Sequence, residues 1–85
     1  MSNTFSTQVI STTAVPLQLP NTNPTSALLT VDGDALRVRL DGSNPTASIG
    51  HLVTYIEIDS YEELKNFRAI RSGGSDSTLS ITYRN

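Results

Sequence analysis

No cysteine occurs among the 85 residues. Disulfides are therefore excluded, and so are thiolate ligands for zinc. The single histidine, His51, rules out a histidine-rich metal site. Tryptophan is absent and aromatic residues make up 6% of the chain, which leaves little to stack nucleic-acid bases upon. No apolar run approaches the ~18 residues of a membrane-spanning helix. The opening MSNTFSTQVISTT has neither a basic stretch nor a long apolar core, so it does not read as a signal peptide. A net charge of −2 argues against a nucleic-acid binder, which carries a basic face.

One absence is local. Residues 1–31 contain no Asp, Glu, Lys, Arg or His, and every charged side chain lies from Asp32 onward. A solvated surface is roughly a quarter charged or more, so an uncharged first third is expected to be flexible or covered. A chain this short also folds around one thin core. Without disulfides or metal, the remaining means of stabilising it are oligomerisation and docking onto a larger body.

What is present reads as β structure. Thr7, Val9, Ile10, Thr12, Thr13 and Val15 are β-branched and favour extended backbone. Pro16, Pro20 and Pro24 bar the segment from a central strand. Residues 5–10 are expected to form a first strand, 14–19 an edge strand and 20–26 a loop. Leu29 and Val31 alternate up to Asp32-Gly33-Asp34, and Asp-Gly between alternating runs predicts a hairpin. In residues 35–40, Leu36, Val38 and Leu40 share one face, with Arg37 and Arg39 on the other. Asp41 through Thr46 is a dense turn cluster. There the Asp41 side chain can accept backbone N–H bonds and Gly42 can take positive φ.

Residues 52–58 are expected to be one strand, with Leu52, Thr54, Ile56 and Ile58 on one face. Ser60 with Glu63 fits a helix capping box, so residues 61–67 are read as one helical turn or a bulge. Residues 67–71 and 77–83 read as strands joined by a hairpin loop, with Leu79, Ile81 and Tyr83 buried. Six or seven short strands at regular spacing predict an all-β fold: a small, single-domain antiparallel β-sandwich or barrel. The expected division is an extended, uncharged N-terminal arm or edge strand over residues 1–26 and a β-sandwich domain over 27–85.

No constellation for chemistry appears. His51 has no placed nucleophile or acid to make a triad, and its ring is expected to lie beside a turn. Glu62 and Glu63 are adjacent, so they point apart and cannot act as a glycosidase pair. Asp32, Asp34 and Asp41 do not fit the calcium-loop spacing. Ser72-Gly73-Gly74-Ser75 lacks the lysine and length of a phosphate-binding loop. The protein is therefore expected not to be an enzyme, and to use no cofactor.

The stretch RVRLDGSNPTASIGH at 37–51, with NFRAIR at 66–71 and TLSITY at 78–83, resembles a group of small structural proteins of tailed bacteriophages. The shared pattern is an Arg-rich strand, a D-G-x-x-P-T turn, a Gly-His step and a closing strand after a short loop. It covers about residues 28–83. The L-D-G-S-x-P-T turn is also similar to turns in β-sandwich modules of carbohydrate-active enzymes.

The phage resemblance implies a virion structural protein, assembled in the host cytoplasm and seated on the capsid surface as a decoration or cement protein. Neck or tail components and a carbohydrate-binding module are the alternatives. Its partners would be the major capsid protein and itself, as a homotrimer, without nucleic acid or membrane. The residues expected to meet partners are Phe5, Val9, Ile10, Val15 and Leu17 of the first third, Arg37 and Arg39 of the Arg-rich strand, and Tyr55.

Overall fold

The computed structural model describes residues 3–84. Met1 and Ser2 of the expected arm, and Asn85, lie outside them. The elements in chain order are β1 (Asn3–Ile10), β2 (Val15–Pro16), β3 (Ser26–Asp32), β4 (Leu36–Arg39), β5 (His51–Val53), β6 (Tyr55–Ile58), α1 (Tyr61–Asn66), β7 (Arg68–Arg71) and β8 (Ser77–Arg84). They form two four-stranded sheets, ordered β1-β8-β3-β6 and β2-β7-β4-β5, and every pairing is antiparallel. The fold is all-β, a sandwich with one short helix.

Period-two alternation explains the core. In β8, Ser77, Leu79, Ile81 and Tyr83 are buried and the residues between them are half-buried. Ala27 and Leu29 of β3 and Ile58 of β6 join them from the first sheet, and Leu36, Val38 and Ala69 face them from the second. Leu64 of α1 and Phe67 after it close one end. Leu40 and Ile56 are only partly buried at the margin. Burying Tyr83 pushes its phenol up to about 12, because the charged form loses its water. Its hydroxyl donates to the Gln18 carbonyl at 3.3 Å, tying β8 to the segment after β2.

Of the two forms expected for the first third, arm or edge strand, residues 3–10 take the edge strand. β1 pairs with β8 in register from Asn3 opposite Arg84 to Ile10 opposite Ser77, so it is a full edge strand of the first sheet. The expected edge strand at 14–19 shrinks to β2, whose Val15 and Pro16 pair with Ala69 and Arg68.

Three connections also differ from expectation. Asp32-Gly33-Asp34 joins β3 in one sheet to β4 in the other, so it is an inter-sheet arch and no hairpin. Residues 72–76 likewise carry the chain from β7 across to β8. The strand expected at 52–58 breaks at Thr54: β5 belongs to the second sheet and β6 to the first. The break shifts the inward face by one residue, so Val53 points in before it, Ile56 and Ile58 after it, and Leu52 is left outside.

The region left ambiguous at 61–67 is the helix α1. Ser60 caps it, its Oγ accepting from the Glu63 N–H at 3.4 Å, and Glu62 and Lys65 pair across one turn at 2.9 Å. The carboxylate of Glu62 raises the Lys65 pKa.

Candidate functional site

With one face of each sheet packed inward, each sheet presents its other face to solvent. The two outward faces differ in chemistry. On the first sheet, the ladder registers place Phe5, Thr82, Leu28 and Glu57 in one cross-strand row and Thr7, Ser80, Thr30 and Tyr55 in the next. Val9, Thr78 and Asp32 make a third. This face is a field of threonine and serine hydroxyls with apolar side chains standing on it. Phe5 is 68% exposed, Val9 65% and Tyr55 55%. Its charges sit toward the β6 edge and the corners. Tyr55 donates to Glu57 at 2.5 Å, which raises the phenol pKa, and Glu57 lies 3.6 Å from Arg84.

The outward face of the second sheet is basic. Arg39 of β4 stands opposite Arg68 of β7, and Arg37 lies between Ile70 of β7 and Leu52 of β5. Arg39 pairs with Asp41, holding that carboxyl below its usual range. Arg37 donates to the carbonyls of Ala47 and Gly50 at 3.3 and 3.1 Å. Arg68 bonds the carbonyls of Phe67 and Lys65 at 2.7 and 3.1 Å. Arg37 and Arg68 are therefore cations on carbonyls, with no carboxylate on either among the described residues.

The loop between β4 and β5 is built as its turn residues predict. Asp41 accepts from the Ser43 N–H at 3.1 Å, and the Thr46 hydroxyl accepts from the N–H of Ile49 at 3.0 Å. Pro45 is buried beneath. Gly50 takes φ +134°, and a Cβ there would lie 3.0 Å from the Val38 carbonyl, so only glycine fits. A groove of about 550 Å³ runs beside this loop, lined by Arg39, Leu40, Asp41, Ile49, Gly50 and His51. A second, of about 370 Å³, lies between β1 and β2.

The residues expected to meet partners fall into three groups. Phe5, Val9 and Tyr55 are exposed together on the first sheet's outward face. Arg37 and Arg39 lie on the opposite side of the molecule, engaged with their own loop. Ile10 and Leu17 are corrections: both are core residues, 1% and 7% exposed, because they face inward where β1 ends and the chain passes beneath it. Val15 packs partly against the same core. His51, expected beside a turn, is exposed on the edge strand β5.

Sequence reasoning missed two exposed aliphatics, Ile49 and Leu52. Leu52 reads as sharing a strand face with Ile56 and Ile58, and the sheet switch at Thr54 separates it from them and turns it out. The hydroxyl rows were legible, since Thr78, Ser80 and Thr82 alternate with Leu79 and Ile81.

Among the described residues, no cluster of three His, Asp or Glu is placed to hold a metal ion. No described helix is long and apolar enough to cross a membrane. Compared with known proteins, the chain matches no family model, no curated protein and no solved structure.

Proposed function

We propose that this protein is a non-enzymatic structural component of a tailed-phage virion, a decoration or cement protein that binds the outside of the head shell and stabilises it. The observation that carries this reading is the outward face of the first sheet. It is mostly uncharged, and it presents Phe5, Val9 and Tyr55 to solvent. The centre of such a face loses little on desolvation, because hydroxyls find new partners and the charges of Asp32, Glu57 and Arg84 stand at its margin. Aromatic side chains over a neutral surface are also the composition that interface cores favour. The basic face behind it gives the slab a second, different side, suited to acidic neighbours on a shell. Its partners are then the major capsid protein and further copies of itself, repeated over the symmetry of the particle.

The test is the copy number in purified particles, measured by quantitative mass spectrometry against the major capsid protein. Decoration predicts copies on the order of hundreds, in fixed ratio to capsid subunits. A dozen or fewer, on the order of one ring, would move the protein to the neck or tail. Absence from particles would overturn the virion reading.

A further inference from the structure

We infer that the free edge of β1 is a self-association site, where β1 pairs antiparallel with β1 of a second copy about a two-fold axis through Thr7. This goes beyond the virion reading and does not depend on it.

The sandwich has four edge strands: β1 and β6 in one sheet, β2 and β5 in the other. An exposed edge invites pairing with another chain, and folded proteins guard it with charge, proline, bulges or short length. Three of the four are guarded. β2 is two residues long and contains Pro16, β5 has three residues, and β6 has four and carries Glu57. β1 has eight residues, NTFSTQVI, with no charge and no proline. Among the described residues its strand partner is β8 alone, on one edge. Along the other edge, alternate residues point their N–H and C=O groups outward to no strand.

The pattern within β1 selects a second copy of the same strand. Its outward side chains are Asn3, Phe5, Thr7 and Val9. Reflected through Thr7, Phe5 comes opposite Val9 of the second copy, Val9 opposite its Phe5, and Thr7 opposite Thr7. The two large apolar groups left exposed on the strand thus cover each other as cross-strand pairs. On the inner side Ser6 meets Gln8. Because residues 1–31 carry no charge, no like charges meet in this register. The chain leaves the ladder after Ile10, where the Arg71 N–H donates to the Ser11 carbonyl at 3.1 Å. That turn bounds the contact. A two-fold pairing is closed, since each copy uses its β1 edge once. Two four-stranded sheets become one continuous sheet.

Sedimentation of the purified chain tests this. The expected mass is twice the 9.2 kDa of one chain. Val9→Lys, at a 65% exposed position, replaces both apolar pairs with a cation facing Phe5. It is expected to raise the dissociation constant about tenfold or more with an unchanged circular dichroism spectrum. Thr7→Cys adds the only thiol in a chain without cysteine, and mild oxidation is expected to give a covalent dimer. Thr30→Cys, also exposed but on the central strand β3, is expected to give none. A monomer at concentrations up to about a millimolar, a threefold mass, or a dimer indifferent to Val9→Lys would each overturn the inference. None of these results alters the copy number in particles, so the two readings fail separately.

Discussion

Gln8 does with its side chain what another strand would do with its backbone. Its amide nitrogen donates to the Pro16 carbonyl at 3.2 Å, and its amide oxygen accepts from the Gln18 N–H at 2.9 Å. One residue so ties the open edge of the first sheet to the short edge strand of the second. Gln8→Ala is expected to cost about 1–2 kcal/mol. The urea midpoint should fall while the slope of the transition stays the same. At the other end of the same seam, Asp76 accepts from Ser11, which chiefly lowers its pKa, and from Arg71 at 2.7 Å, which lowers it further. A carboxyl depressed in the folded state stabilises the fold at pH values above its unfolded pKa, near 3.9. That stability is lost as the pH falls through the folded pKa. Thermal midpoints taken from pH 7 to pH 2 should drop below about pH 4. Asp76→Asn should start lower and fall less steeply, with a residual slope from Asp41, which Arg39 depresses in the same direction.

At the scale of elements, β1 carries two duties, covering the β8 edge and closing the core with Ile10. A chain lacking residues 1–13 is expected to lose the cooperative thermal transition, measured by circular dichroism. Retention of a folded β domain would show that β1 is dispensable after all. Strand existence and facing were legible in the sequence, because a period of two survives whatever the strand pairs with: Leu36 and Val38, or Leu79, Ile81 and Tyr83, could face only a core. Pairing was not legible. An Asp-Gly turn looks the same whether the chain folds back beside itself or arches over to the opposite sheet, and Asp32-Gly33-Asp34 does the latter. Nor does a sequence mark a strand that changes sheets. Thr54 is an ordinary β-former, and the apolar groups on both sides of residues 52–58 fitted a central strand as well as a broken one. Of the candidate site, the exposed Phe5 and Val9 followed from an uncharged segment. Ile10 broke the pattern because alternation turns it inward at the strand's end.

For the whole molecule, nearly every connection crosses the sandwich. Among the described residues, β4 and β5 are the only consecutive strands in one sheet. The chain therefore alternates between layers as a lace does, and most stabilising contacts join residues distant in sequence. That arrangement sets the chemistry of the two outer surfaces independently. Residues from β1, β3, β6 and β8 compose the neutral hydroxyl side, and residues from β4, β5 and β7 compose the arginine side. With a least dimension of 17 Å, the protein is a thin tile whose two sides can meet two unlike surfaces at once.

The rung that sets Asn3 beside Arg84 has a geometric consequence. Residues 3 and 84, far apart in sequence, lie about 5 Å from each other on one rung, so the described backbone nearly closes into a ring. A pull applied at Asn3 and a pull applied at Arg84 would load the same end of the same ladder.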